Sequence, residues 1–574
     1  MSLRPFKLIL PLFTTCITAC SPASEKTVAN VDTIYVGDNI ITMDESTADA
    51  VAIVSDRILA TGPRDQILSM QSETTKIVEL GERALLPGFI DAHGHVSGVG
   101  RVTALLDLSP PPVGSVATID DIVDIIQQYI AAENPAPGTW IYGRGYDDSL
   151  LAESRHPNRA DLDRASLEHP IVLTHVSGHL AAGNSTALDL ANVTASTTDP
   201  VGGVIRRRAD QEPNGVMEET AQSLYPSIKM EVSKRGELLR VGLEIYASYG
   251  VTTAQDGGVS LAYVDQLRNE SATSPFPIDM VAFVEVNSVD DATLDSIEVD
   301  ANYTNGFRLG GVKFWLDGSP QGRTAWLSEP YTQGPPGQSA DYVAYPTFDP
   351  DTYKSRMLSL LERKVPVLAH ANGDAAIELM IDGVADAVDA LNISDHRSVA
   401  IHSQLMRRDQ LDRVKNLGIV PSYYAAHPFF WGDWHRLSFG EDRAAFISPA
   451  QASIDRGIPF TIHNDSPVVP PNVMRLIWIA VNRLTRSGYV LGPDQRISVY
   501  DALYAVTQGA AYQYFEEDNK GSITAGKQAD FVILGENPLK ADPETLKDIP
   551  IIETIARGRT VYRRDYIEKR SASL

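Results

Sequence analysis

The chain has 574 residues, too many for one simple core, and length alone suggests about three structural units. A hydrophobic fraction of 43% with 7% aromatics is that of an ordinary globular protein, not of a disordered or membrane-embedded one. Its 49 basic and 74 acidic side chains give a formal net charge of −25, which repels nucleic acid and acidic headgroups and argues against nucleic acid as a binding partner.

The first twenty residues, MSLRPFKLILPLFTTCITAC, carry Arg4 and Lys7, then a short apolar stretch, then small residues ending at Cys20. This is the order of a secretory signal, with an apolar part too short to span a bilayer comfortably. ITAC, Ile17 to Cys20, resembles the bacterial lipobox, in which the cysteine becomes the lipidated first residue of the mature chain, although Leu is commoner where Ile17 stands. The expectation is a lipoprotein signal over 1–19, lipidation at Cys20 and a polar tether over 20–29, with a plain secretory signal as the alternative. Ser21 after the cysteine favours, by resemblance, an exported protein on the outer membrane facing the periplasm. Cys16 and Cys20 are the only cysteines, so a mature chain has no disulfide and no thiol ligand, and any metal must be held by histidines and carboxylates.

From residue 30 the chain alternates β-branched residues with Gly and Asp turns, and a matching run returns only near the C-terminus, in GSITAGKQADFVIL and IIETIARGRTVYRRD. Residues 30–86 and 517–570 are therefore expected to build one small β-sandwich domain. Between them, over 87–516, short β runs such as GVTTAQDGG, RLGGVKFWLDGS, VPVLAHANGD, SVAIHSQL, LGIVPSYY and GIPFTIHNDSP alternate with helical patterns such as DAAIELMIDGVADAVDAL. So many β-α units favour an α/β fold of the closed (β/α)8 TIM-barrel kind over an open sheet. The stretch from about 110 to 220 breaks the rhythm and is expected to be an insertion near the active-site face.

LLPGFIDAHGHV, residues 85 to 96, ends an apolar run in two histidines one residue apart. On a strand, side chains at i and i+2 share a face, so His93 and His95 can chelate one ion. Later β runs end in Lys313, His370, His402 and Asp465. Singly, each has a plain structural use, as a solvent-reaching lysine, a core histidine or a helix cap. Together they put groups able to bind metal at five strand ends of one barrel.

These motifs, with GVKFWLDGSPQGRTAWL, AHANGDAAIELMIDGV, IHSQ, IHNDSPV and the late DALYAVTQGAAY, resemble the metal-dependent amidohydrolase superfamily. GRGYDD, GHLAAGNSTAL and GGVIRRRADQEPNGVMEE are similar to its YtcJ-like branch (amidohydrolase 3), which includes N-substituted formamide deformylases. The loop after Asp317 departs from the pattern, with GSPQGRTAWL replacing a more usual GSLGSRTAAL, which leaves specificity near Gln321 and Trp326 open. The resemblance implies two divalent metal ions, zinc first with manganese or iron as alternatives. His93, His95 and Asp465 would hold the more buried ion, His370 and His402 the second, and Lys313 would bridge them as its carbamate. Electrostatics supports that modification, since an ammonium about 4 Å from a +2 ion costs on the order of 8 kcal/mol at an effective dielectric of about 20.

The activity implied is hydrolysis of a non-peptide C–N bond in an amide or N-substituted formamide by a metal-activated hydroxide. Asp465 would accept the water's proton and pass it to the leaving amine. His179, His427, Arg323 and Trp315 are the substrate-binding candidates. SYYAAHPFFWGDWHRL sets Tyr423, Tyr424, Phe429, Phe430, Trp431 and Trp434 around His427, and reads as a pocket wall for an apolar or aromatic substituent. Packing of that loop onto the barrel is the competing use of those rings. An esterase, lactonase or dipeptidase on the same centre and a non-catalytic membrane-tethered binding lipoprotein are the alternatives. The partners expected are a small-molecule substrate, a membrane through the lipid anchor and a second copy of the chain in a homodimer.

Overall fold

The computed structural model describes residues 30–226, 231–335 and 337–564. The signal, Cys20 and the tether lie outside them, as does the segment beyond 564.

Eight strands run side by side in chain order, each parallel to the next. They are β1 (Phe89–Ile90), β2 (Val251–Val259), β3 (Asp279–Glu285), β4 (Phe307–Trp315), β5 (Val367–Ala371), β6 (Val399–His402), β7 (Val420–Tyr423) and β8 (Thr461–Ile462). Parallel neighbours need crossovers, and helices supply them. The segment DAAIELMIDGVADAVDAL is one such helix, Asp374–Leu391, burying Ile377, Met380, Ile381, Val384 and Ala387 at helical spacing and ending on Asn392 at φ 51°. Strand alternation sorts the side chains. Val281 and Phe283 join Leu368, Ile401 and Tyr514 in one cluster, while Met280, Ala282 and Val284 belong to the larger cluster that includes the helices. The sheet curls until its ends meet, because the His95 N–H just past β1 donates to Ser466 O just past β8 at 2.7 Å, and the His93 and His463 ring centroids are 5.2 Å apart.

The two chain ends share a second sheet. Thr33–Ile40, Ala48–Val54, Arg57–Gly62, Lys76–Glu79 and Ala84–Pro87 come from the N-terminal side, and Phe531–Leu534, Ile551–Ala556 and Arg559–Arg563 from the C-terminal side. The seam is the antiparallel ladder of Phe531–Leu534 on Ala84–Pro87. Its ladders connect all eight strands, the N-terminal group meeting the Ala84–Pro87 strand through Ile40 paired with Leu85. The register shift between Val36 and Ile40 bends it around a core of Tyr35, Val51, Ile53, Leu85, Phe531 and Ile555.

Between β1 and β2 the chain leaves the barrel-like sheet to form a six-stranded mixed sheet that begins at Leu106–Asp107 and ends at Pro213–Glu219. It has a core on each face, with Leu173, Ala182 and Val216 on one side and Val172, Ala181 and Met217 on the other. The insertion is therefore a folded unit rather than a long loop.

Candidate metal centre

The C-terminal ends of the eight parallel strands bring the chemistry-bearing residues together. The ladders pair Glu285 with Lys313, Trp315 with His370 and Ala371 with His402, so Lys313, His370 and His402 stand on three adjacent strands at neighbouring levels. His93 and His95 follow β1 and Asp465 follows β8. Asp465 Oδ1 lies 3.4 Å from His93 Nε2 and 3.3 Å from His95 Nε2, and Lys313 Nζ lies 2.9 Å from His93 Nε2. The His370 and His402 centroids are 4.5 Å apart, and His93, His402 and Asp465 each offer a ligand atom within 4.8 Å of the other two. All six predicted ligands thus converge.

The surroundings fit a metal. Three buried imidazoles are each tied at Nδ1, which leaves the Nε2 lone pair as the ligating one, although His370 Nε2 here lies 3.2 Å from Asn372 Nδ2. His93 Nδ1 meets Gln255 Oε1 at 2.5 Å, His370 Nδ1 meets Asp317 Oδ1 at 3.1 Å, and His402 Nδ1 meets His463 Nε2 at 3.1 Å. His463 in turn rests its Nδ1 on Ser422 Oγ at 2.9 Å, which lets it accept from His402. Burial, reinforced by neighbouring cationic groups, holds His93, His370 and His402 well below the usual histidine range, so all three are neutral. Burial opposes the charge of Asp465, but His95, 3.3 Å from its Oδ1, and the nearby His402 and His93 outweigh it and hold its carboxyl well below the usual carboxylate range. Its Oδ1 is buried without a hydrogen-bond partner among the described residues. Burial brings Lys313 down to about 7, against the pull of Asp465 and Glu285, so a large share of the amine is neutral near neutral pH and able to take up carbon dioxide.

The groups that hold these ligands carry little signal in the sequence. Asp317 takes the backbone N–H groups of Asn372, Gly373 and Trp326 at 3.0, 2.8 and 3.0 Å besides His370, and burial raises its carboxyl to about 7. Glu219, at the end of the insertion, accepts from His179 Nδ1 at 2.7 Å and hangs that ring 5.1 Å from His370. Backbone strain marks several of these positions. Glu219, His402 and Asp465 are non-glycine residues at φ 48°, 71° and 52°, a conformation that persists where the surroundings enforce it.

The cleft above the centre has a volume of about 790 Å3, and His95, His179, Trp315 and Asp465 are among its walls. Two of the four substrate-binding candidates, His179 and Trp315, therefore face it. The other two do not. Arg323 is engaged with Ser438 Oγ at 3.1 Å and Gly334 O at 3.2 Å and stacks over Trp434 at 4.0 Å, which makes it a clamp between its loop and the helix His427–Phe439. His427 is buried on that helix against Tyr424, 4.3 Å between centroids. The expected aromatic wall is corrected with them. Tyr423, Tyr424, Phe430 and Trp431 are packed in the core and Phe429 lies against it, because the segment folds as a helix whose apolar face docks inward. Trp315 and Tyr263 are aromatic rings that do line the cleft.

A second His/Asp cluster, in the insertion, reads as an ion-pair network. His175 Nε2 lies 3.1 Å from Asp148 Oδ1 and 3.9 Å from Asp147 Oδ1, but Ser177 N–H donates to His175 Nδ1 at 3.2 Å. That bond puts the imidazole proton on Nε2, facing the carboxylates, where a metal would need a lone pair. Trp431 Nε1 donates to Asp147 Oδ2 at 2.6 Å and so ties the insertion to the helix His427–Phe439.

A sequential parallel sheet with a His-x-His pair, a lysine, two further histidines and an aspartate at its strand ends agrees with the family comparison. Residues 76–562 match the amidohydrolase family, and the chain belongs to it. Membership makes it a hydrolase with a divalent-metal site. Among its relatives, the N-substituted formamide deformylase of Arthrobacter pascens is 25% identical over 93% of this chain and 98% of that protein. The protein LONG AFTER FAR-RED 3 of Arabidopsis thaliana is 28% identical over 92% of this chain and 91% of that one. The fold is shared with an uncharacterized metal-dependent hydrolase of Pyrococcus horikoshii, at a TM-score of 0.69 and 22% identity, covering 89% of this chain and 99% of that one.

Proposed function

We propose that the protein hydrolyses a non-peptide C–N bond, in an amide or an N-substituted formamide, at a binuclear divalent-metal centre. The curled sheet is read as a closed (β/α)8 barrel, with the terminal sheet as a sandwich beside it. His93, His95 and Asp465 would hold one ion and His370 and His402 the other, with carboxylated Lys313 between them and zinc as the metal suited to this nitrogen and oxygen set. The observation that carries the reading is the tethering of three Nδ1 atoms, which leaves Nε2 as the ligating nitrogen of three neutral rings, two of them grouped with an unpartnered carboxylate oxygen.

When bound, such ions lower the pKa of a water to about 7 and polarise a carbonyl. The chain's own residues do the rest. Asp465, ionised and with Oδ1 free of other hydrogen bonds, accepts the water's proton and delivers it to the leaving nitrogen. Burial opposes protonation of His179, but Glu219 outweighs it and raises its pKa, which favours the protonated ring that could offer an N–H from the cleft wall to the developing oxyanion. Trp315, 6.2 Å from His95 with ring planes 9° apart and 5.0 Å from His370, packs against the ligands and shields them from water.

The test is metal analysis with a paired assay. Replacing His93 and His402 together should remove two ions per chain, and matched formamide, amide and ester analogues should be turned over only by metal-loaded protein. Full turnover after chelation would overturn the reading. The lipoprotein assignment enters as a separate proposal, with Cys20 the anchoring residue and the cell envelope the location. Cys20→Ser should release the protein from membranes with unchanged turnover, and a variant that still sediments with membranes refutes it.

A further inference from the structure

The cleft holds three arginines from three different elements. Arg101 closes the helix Val96–Val102, Arg144 comes from the insertion strand Ile141–Tyr146, and Arg235 begins the helix Val232–Ser248. Two glycines bring the first and third together. A Cβ on Gly100 would lie 1.7 Å from Leu238 O, and one on Gly242 would lie 2.3 Å from Val96 O, so the two helices touch backbone to backbone and set Arg101 and Arg235 on one wall.

None of the three has a carboxylate within 4.0 Å among the described residues, in a chain of net charge −25 where most other arginines do. Arg144 donates only to backbone carbonyls, Pro467 O at 2.7 Å and Val176 O at 3.3 Å. A guanidinium has five N–H donors, so about three remain. Arg235 Nε is buried with no partner among the described residues. Burial, with Arg101 close by and despite Asp465, brings Arg144 down to about 10, which still leaves it charged at neutral pH.

Three of the acids in the same walls are spoken for. Glu219 takes His179 and Thr324, Asp317 takes three backbone N–H groups and His370, and Glu285 takes Asn287 N and Ser288 Oγ, each at 2.6 Å. Asp256, near Arg101 in charge terms, is buried, and burial pushes its carboxyl above the usual range. Asp465 faces the candidate metal centre, and the three guanidiniums beside its loop are left without a carboxylate partner among the described residues.

We propose that the substrate carries a carboxylate, held by Arg144 and Arg101 with Arg235 at the rim, while its amide or formamide group faces Asp465. This rests on the hydrolase reading above and narrows it to N-acyl or N-formyl amino acids and similar anionic amides. A charge-assisted, two-pronged bond to a guanidinium gives the preference both strength and direction.

The experiment uses the full chain loaded with zinc and two matched probes, N-acetylglycine and N-acetylglycinamide, with binding read by calorimetry and turnover by amine release. The carboxylate should bind roughly 10- to 100-fold more tightly than the carboxamide. Arg144→Met should erase that preference mainly through KM, with Arg144→Lys retaining part of it. Arg101→Met, at an exposed position that does not endanger folding, should reduce it. Equal binding of the two probes by the wild-type chain overturns the proposal, as does a preference that survives both Arg144→Met and Arg101→Met. Loss of turnover with the binding preference intact would count against the hydrolase reading and leave the anion site standing.

Discussion

Gln255→Leu tests whether the centre depends on how its histidines are aimed. Gln255 is fully buried, its Oε1 is 2.5 Å from His93 Nδ1, and its Nε2 donates to Ala92 O at 2.9 Å and Tyr514 Oη at 2.6 Å. Leucine keeps much of the volume and removes all three bonds. Ala92 O still accepts from Gln513 Nε2 at 2.7 Å, and Tyr514 still donates to Asp91 O at 2.7 Å, so the group left stranded is the His93 N–H. An unpaired buried donor costs about 1–3 kcal/mol. Loss of the group orienting a ligating histidine costs about 10- to 100-fold in metal affinity, equivalent to about 1.4–2.7 kcal/mol. The two ranges agree, so the expected result is metal binding weakened by about that factor in a chain with a native circular dichroism spectrum. Competition with a chromophoric chelator measures the affinity, and Gln255→Glu, which keeps an acceptor, should recover most of it. Affinity within twofold of wild type in a folded Gln255→Leu chain would refute the orientation argument.

Asp465→Asn should keep the fold and lose about 10²–10⁴-fold in rate, since general acid–base help of that size disappears with the carboxylate; a folded, metal-loaded variant within threefold of wild type would show another group moving the proton. Lys313→Ala should lose most activity and regain part of it with small carboxylic acids that replace the bridge, read as a dose-dependent rise in rate. Lys520→Met should destabilise the chain by about 3 kcal/mol, the low end for breaking a buried ion pair, because Lys520 Nζ sits buried 2.7 Å from Asp279 Oδ2 and 3.0 Å from Glu516 Oε2, while Arg557 and Arg308 still meet those carboxylates. Burial opposes the charge of Asp279, but Lys520 and Arg557 hold its carboxyl below the usual range. Its contribution is therefore present above the unfolded carboxylate pKa of about 4 and lost as pH falls below it, so acid melting curves should be steeper for wild type than for Lys520→Met.

The six candidate ligands were legible in the sequence because each lies where a β run stops, and a parallel strand's end is a fixed place in this architecture. His93 and His95 needed only the two-residue period of a strand. The helix Asp374–Leu391 could be read residue for residue from its apolar spacing. Tertiary structure alone decided what aims those ligands. Gln255 and His93 are 162 residues apart, as Asp317 and His370 are 53 apart, and a buried glutamine or aspartate shows no local pattern that names its partner. It also decided which way the aromatic segment after Tyr424 turns. The same spacing of Phe429, Phe430 and Trp431 serves a cleft wall or a docked helix, and packing against the core settles it because burying those rings there removes more apolar surface from water than lining a wet cleft would. The three unpaired arginines show the same limit, since an arginine's partner, or the lack of one, exists only once distant elements have met.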